Sequence, residues 1–226
     1  MTNQQLAERY APRVFFDDAE TIPLRAVGYT VAREKQRSDS FPKRMLIPPK
    51  DGIMIEYAFY WDYDIQHMYD LEHVWVMADS AGQVIDAEGS FHGKYLKLLP
   101  ELPNVRKVEN DHVSAFCQPG KHAFLPDGQL FRLVPDWREA CSTQSGGGVL
   151  VGGPFAGIYQ PSKEDDALSD AYLREKLSFV PTLSFNKVMA PEDIARLLMP
   201  WEKLKQLIPG WIHAECDRLR TLAERR

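Results

Sequence analysis

Between Tyr10 and about Leu133 the chain alternates short apolar runs with turn-forming clusters. The clusters are P-P-K-D-G, D-S-A-G-Q, P-G-K and P-D-G, and this punctuation predicts antiparallel strands stacked as a sandwich. Within it, E-Y-A-F-Y-W (56–61) and L-E-H-V-W-V-M (71–77) are rich in aromatic and β-branched residues and predict two strands joined by a short connection. On the second strand Asp70 and Glu72 share a face with Val74 and Val76, whereas His73 and Trp75 point the other way. The pattern then changes. Residues 142–154, S-T-Q-S-G-G-G-V-L-V-G-G-P, lack the G-K-[ST] ending of a phosphate loop and predict a flexible lid or linker. E-D-D-A-L-S-D-A-Y-L-R-E-K-L predicts an exposed helix, and from Pro191 the spacing is helical, with Pro191 suited to a first turn and Pro200 and Pro209 marking breaks. Leu197, Leu198, Trp201, Leu204 and Leu207 recur at helical spacing and predict a docking face.

The fold expectation is therefore a mainly β protein, an antiparallel β-sandwich with a C-terminal α-helical extension. It is organised as one domain over 1–226, with a sandwich core at 10–160 and a helical extension at 164–226 packed on it. A chain of 226 residues suits one such domain better than two. Hydrophobic residues at 44% and charged residues at 26% are those of a soluble globular protein. The net charge of -5 argues against a nucleic-acid surface, and the basic-biased stretch at 33–44 carries interspersed acids, which predicts a solvated loop. No stretch has the layout of a signal peptide and none approaches the ~20 apolar residues of a membrane helix, so the expectation is a cytoplasmic protein without a transmembrane segment. Cys117, Cys141 and Cys216 are odd in number and widely spaced, which predicts buried free thiols.

Candidate chemistry concentrates in one window. Five of the six histidines, His67, His73, His92, His112 and His122, fall between 67 and 122, and the first two border Asp62, Asp64, Asp70 and Glu72. No positive charge lies among those four acids, so a bound cation would relieve their repulsion, and carboxylate with imidazole is a ligand set for Mg²⁺, Mn²⁺, Ca²⁺ or Zn²⁺. An acidic hairpin loop of ordinary surface residues accounts for the same spacing. His92, before Gly93, and His122, after the Pro119-Gly120 turn, are either structural or, facing the acids, candidates for general acid/base chemistry.

The segment H-M-Y-D-L-E at 67–72 resembles the G-H-R-H-D-W-E heptapeptide of the necrosis-inducing protein family and the G-D-W-E-H-V motif of a vacuolar-protein-sorting-like group. Y-A-P-R-V-F-F-D-D-A-E-T-I-P-L (10–24), S-F-H-G-K-Y (90–95) and G-K-H-A-F-L-P-D-G (120–128) resemble, in order, the A-P-x-V-x-x-x-x-x-E-x-x-x-P, S-x-H-G-x-Y and G-S-H-A-x-Y-P segments of the same superfamily. The resemblance implies that Asp64, His67, Asp70 and Glu72 surround one divalent cation beside a site for a sphingolipid sugar head group. The chain departs from the heptapeptide at Gln66, Met68, Tyr69 and Leu71, where the motif has Gly, Arg, His and Trp. An oxygen-dominated set with one imidazole favours Mg²⁺, Mn²⁺ or Ca²⁺ over Zn²⁺. Two functions follow as expectations: a divalent-metal-binding protein with a small-molecule or head-group site, as a metal-dependent hydrolase with His122 and then His92 moving the proton, or a non-catalytic module that binds a glycan or lipid head group.

Overall fold

The computed structural model of the chain describes residues 1–100 and 108–225. In chain order its elements are α1 (Asn3–Arg9), β1 (Arg13–Phe16), β2 (Ala26–Ala32), β3 (Gln36–Arg37), β4 (Met45–Leu46), β5 (Ile53–Tyr63), β6 (Met68–Ala78), β7 (Val84–Phe91), β8 (Lys94–Lys97), β9 (Val108–Glu109), β10 (His112–Cys117), β11 (Phe124–Leu125), α2 (Lys163–Tyr172), β12 (Lys187–Met189), α3 (Pro191–Leu197), β13 (Leu198–Pro200) and α4 (Trp201–Glu224). Mainly β architecture with a C-terminal helix is what the residue pattern predicts.

The strands form a six-stranded sheet, β13-β2-β5-β6-β7-β8, and a second sheet in the order β11-β10-β1-β12 with β9 added on β10. The hairpin β5–β6 runs in one register from Ile53 opposite Ala78 to Tyr63 opposite Met68. Nearly every β5 residue is buried, because this strand is covered on both faces. Its inner face, with Phe59 5.1 Å from the Phe124 ring, looks into the space between the sheets. Gly89 of β7 sits where they approach closely: a Cβ there would lie 2.6 Å from Cβ of Phe124.

Among the described residues two pairings of strands are parallel, β1 with β10 and β13 with β2, so both sheets are mixed rather than purely antiparallel. Each joins strands separated by a long excursion of chain, the circumstance in which parallel pairing is available. Leu198, expected on a helix, belongs to β13 and pairs with Val27.

The helix α4 lies on the outer face of β2 and β5. Gly28 makes room for it, since a Cβ there would stand 3.0 Å from both Trp201 and Leu204. Its buried stripe is Trp201, Leu204, Ile208, Ile212, Cys216 and Leu219, spaced by three and four residues. Leu207 is only half-buried, one position off that stripe. Pro209, expected to break the helix, lies inside it. Packing along the stripe on both sides of Pro209 outweighs the hydrogen bond its ring removes. All three cysteines are buried free thiols, and among the described residues no helix is long and apolar enough to cross a membrane.

Candidate functional site

The inner face of β6 carries Asp70 and Glu72, whose cross-strand neighbours on β5 are Trp61 and Phe59. His73 and Trp75 face outward, as their parity requires. There they meet the hairpin β3–β4: His73 Nε2 lies 3.0 Å from Ser40 Oγ, and the Arg44 guanidinium is held 4.0 Å from both the Trp75 and Tyr95 rings. The 33–44 stretch is therefore not wholly solvated, since Ser38, Ser40 and Arg44 are buried.

Of the two acids at the end of β5, the turn selects Asp64. Asp62 faces outward and pairs with Arg25 at 2.6 Å. Asp64 is pinned by its own loop, with Oδ1 accepting the backbone N–H groups of Gln66 (2.6 Å) and His67 (2.7 Å). This leaves Oδ2 toward the cluster, 3.3 Å from His67 Nε2. His67 Nδ1 lies 3.0 Å from the Tyr69 carbonyl, which can only accept, so Nδ1 carries a hydrogen and Nε2 is the atom presented to Asp64.

A second loop closes the cluster from the other sheet. Glu20 Oε2 accepts the Gly120 N–H at 2.7 Å, and the Gly120 carbonyl accepts the Ile65 N–H at 2.7 Å. The segments around Glu20 and around Gly120, far apart in sequence, thus meet. Gly120 has φ +65°, and a Cβ on it would lie 2.8 Å from Cβ of Ile65, so both conformation and space call for glycine. The turn delivers Lys121 and His122. Lys121 Nζ lies 2.5 Å from Asp64 Oδ2 and 2.9 Å from Gln66 Oε1. His122 Nδ1 lies 2.7 Å from Asp70 Oδ2, and its ring stacks on Trp61 at 4.2 Å between centroids. Glu72 accepts from the Ser90 hydroxyl.

Burial dominates the electrostatics. Asp70 is pushed well above the usual carboxylate range by burial and then by Asp64, and Glu72 likewise by burial and then by Asp70. Burial pushes His122 down to about 4, so it is neutral near pH 7. Its Nδ1 and Asp70 Oδ2 share one hydrogen bond, and the buried Nε2 has no protein partner among the described residues. His92 is also pushed down by burial, with its Nε2 2.9 Å from Gln118 Oε1 pulling the other way. Tyr69, His92 and His122 have positive φ, 80°, 49° and 56°, as do Asp51, Asn110, Asp111, Asp136 and Leu183 elsewhere among the described residues.

A cavity of about 320 Å³ opens at the end of β6, bordered by His67, Tyr69, Asp70, Phe41 and Leu150. The Tyr69 hydroxyl is buried without a protein partner among the described residues. The Gly-rich segment forms one wall and is tied down rather than loose: Met68 donates to the Gly148 carbonyl (3.0 Å) and Val149 to Asp166 (3.0 Å). His112, by contrast, is remote from the cluster, with Nδ1 2.7 Å from the Ala11 carbonyl, and His213 is exposed on α4.

The structure thus brings Asp64, His67 and Asp70 together with His122, places Glu72 beside Asp70, and adds Lys121, Gln66, Tyr69 and Glu20. Lys121 escapes a reading of the acidic window because it lies 57 residues from Asp64. Among the described residues, no three His, Cys, Asp or Glu side chains stand in an arrangement that could hold a metal ion. Carboxylate oxygens and the His67 imidazole, oriented by the Tyr69 carbonyl at its other nitrogen, are donors of the type a hard divalent cation takes, but they do not meet at one point here.

No family model matches the chain, and no curated protein matches it. Among solved structures it is similar to NLPPya in complex with glucosamine, at 14% identity over 53% of this chain and 64% of that one, with a TM-score of 0.39. NLPPya in complex with mannosamine is similar at 15% identity over the same shares, also with a TM-score of 0.39. A structure described as a toxin fold, a basis for microbial attack and plant defense, is similar at 17% identity over 53% of this chain and 66% of that one, with a TM-score of 0.34. In each case the match spans less than two thirds of the other chain's length.

Proposed function

We propose that the chain is a recognition module that binds a small polar head group, a glycan unit or the sugar of a lipid, in the cavity at the end of β6. The observation that carries this reading is the cavity itself: about 320 Å³, apolar over much of its wall and lined by Tyr69, Asp70 and Gly153, with the buried Tyr69 hydroxyl, which has no protein partner among the described residues, 3.8 Å from where a Cβ on Gly153 would stand. A pyranose suits such a site, since its C–H faces pack on apolar side chains while its hydroxyls need a few fixed polar partners. Binding is favoured over hydrolysis because neither His122, stacked on Trp61 and engaged with Asp70, nor His92, held by Gln118, is among the residues that line the cavity. A general acid or base must reach the proton it moves.

In the same reading a divalent cation of the Mg²⁺, Mn²⁺ or Ca²⁺ class would need Asp64, His67, Asp70 and Glu72 to close further onto one point than they do here. When bound, it would supply positive charge to ligand oxygens. Calorimetric titration with a panel of hexoses, hexosamines and lipid head groups, with and without chelator, tests the proposal. At least one member should bind, and Tyr69→Phe should weaken that binding roughly fivefold or more, the worth of one hydrogen bond in a desolvated site. If no member binds, or if Tyr69→Phe binds as tightly as the parent, the assignment of the cavity is wrong. Turnover of an ester, phosphate or glycoside that is lost in His122→Gln would instead restore the hydrolase.

A further inference from the structure

Two walls of the cavity at the end of β6 come from segments far apart in the chain. One is the turn of the β3–β4 hairpin, Ser40 to Lys43, and the other is the Gly-rich segment at Leu150 and Gly152 to Pro154. Among the described residues no hydrogen bond joins these two walls. Trp201, the first residue of α4, does not line the cavity, yet it meets the flank of both walls. Its Nε1 donates to Asp39 Oδ2 at 2.7 Å, one residue before the hairpin wall. Its ring lies 6.0 Å from that of Phe155, one residue after the Gly-rich wall, and Phe155 in turn meets the Tyr69 ring edge to face at 5.9 Å.

Each contact is a firm one. Phe155 is 3% exposed, and the backbone bonds around it, from Phe155 to Gly152 and from Ala156 to Gly153, are local turns, so the phenyl ring is what seats this stretch against the body of the protein. Asp39 accepts the Lys205 ammonium at 2.7 Å on the same oxygen as the indole, so two donors one turn apart on α4 grip it. Lys205, and with it Trp201, holds the Asp39 carboxyl below the usual carboxylate range, and a bond to an ionised acceptor is the stronger kind. The indole has no room to retreat toward the sheet, because it bears on Gly28 of β2, where a Cβ would stand 3.0 Å from Trp201 Cε3. A rigid, planar group stopped from behind and joined to both flanks carries a shift of one wall to the other. We infer that Trp201 is a positioning residue of the cavity: through Asp39 and Phe155 it fixes the spacing of the two walls and sets the Tyr69 ring against the second. This rests on the reading of the cavity as a head-group site, and it gives the C-terminal helix a part in recognition.

The test uses the full chain, with amide hydrogen exchange followed by mass spectrometry in the absence of ligand. Asp39→Ala changes a side chain that is 50% exposed and frees the indole from the hairpin. It should speed exchange roughly threefold or more at 38–44 and also at 150–156, a segment with which Asp39 shares no hydrogen bond among the described residues. Asp39→Asn keeps an accepting oxygen and should stay near the parent. Trp201→Phe keeps a ring on Gly28, loses the N–H and should loosen both walls, whereas Ile212→Val, farther along the same buried stripe, should loosen neither. Calorimetric titration with D-glucose, D-glucosamine and inositol phosphate then reads recognition. Whichever of these the parent binds, Asp39→Ala and Trp201→Phe should bind it roughly fivefold less tightly or worse, and Ile212→Val equally well. If either Asp39→Ala or Trp201→Phe leaves exchange at 150–156 as in the parent, the positioning role is overturned whatever the titrations give. It is overturned too if a ligand binds and both variants hold it as tightly as the parent. If the walls loosen together and nothing binds, the positioning role stands and the head-group reading falls.

Discussion

Glu56 illustrates how a single buried group imprints the pH dependence of the whole molecule. Its Oε1 accepts from Ser38 (2.6 Å) and Trp75 (2.8 Å), and Oε2 is buried without a protein partner among the described residues. Burial raises its pKa, and the bonds from Ser38 and Trp75 only partly offset this. A carboxyl whose folded value lies above its unfolded value contributes stability that is whole below the unfolded value and lost as pH rises through the folded one. Glu56→Gln keeps an accepting oxygen and titrates nothing. Its stability relative to the parent should therefore increase as pH rises from about 4 to 9, which urea unfolding at several pH values would reveal. A difference that does not change with pH would show that Glu56 is not held in its protonated form. At this scale the sequence shows residue types and little else. Asp64, His67, Asp70 and Glu72 stand out because acids and histidines crowd one window. Lys121 and Glu20 do not, because their importance lies in contacts across 57 and 100 residues of chain.

Among the elements, β5 and β6 are the most legible, because aromatic and β-branched residues with a short connection leave few alternatives to a hairpin. The close meeting of β7 with β11 is invisible in the pattern, where Gly89 is one glycine among fourteen. Gly89→Ala forces a methyl to within 2.6 Å of Phe124 Cβ, backed by Leu98 Cδ2 at 3.3 Å, and should cost about 1–3 kcal/mol through overpacking. Gly152→Ala, with nothing within 4 Å of the added carbon, is the control and should stay within about 0.5 kcal/mol. Chemical denaturation of both variants decides it. Equal effects would mean that the sheets can part without strain. The Gly-rich segment misleads in the opposite direction. Its composition suggests mobility, but Asp166 and Asp170 on α2 fasten Gly148 and Val149, so it becomes a wall of the cavity.

At the scale of the molecule, α4 and β13 are structural parts of the sandwich. Ending the chain after Leu197 removes the strand paired with β2 and the apolar stripe that covers β2 and β5, exposing an open sheet edge and a broad hydrophobic face. The truncated protein should aggregate or bind a hydrophobic dye strongly. A soluble monomer with the parent's near-ultraviolet circular dichroism would show that the extension is dispensable. The local pattern by itself determined the strand-rich body, the helical C-terminus, the parity that sets Asp70 and Glu72 opposite His73, and the acid-and-histidine chemistry at the end of one hairpin. Those follow from periodicity and residue type, which act between near neighbours in the chain. Only the tertiary structure decided that two strand pairs run parallel, that Pro209 is carried within a helix, that Asp64 rather than Asp62 enters the cluster, and that an ammonium from a distant turn lies among the carboxylates. Each of these depends on which segments meet across long loops, where the gain from packing and charge neutralisation outweighs local preference.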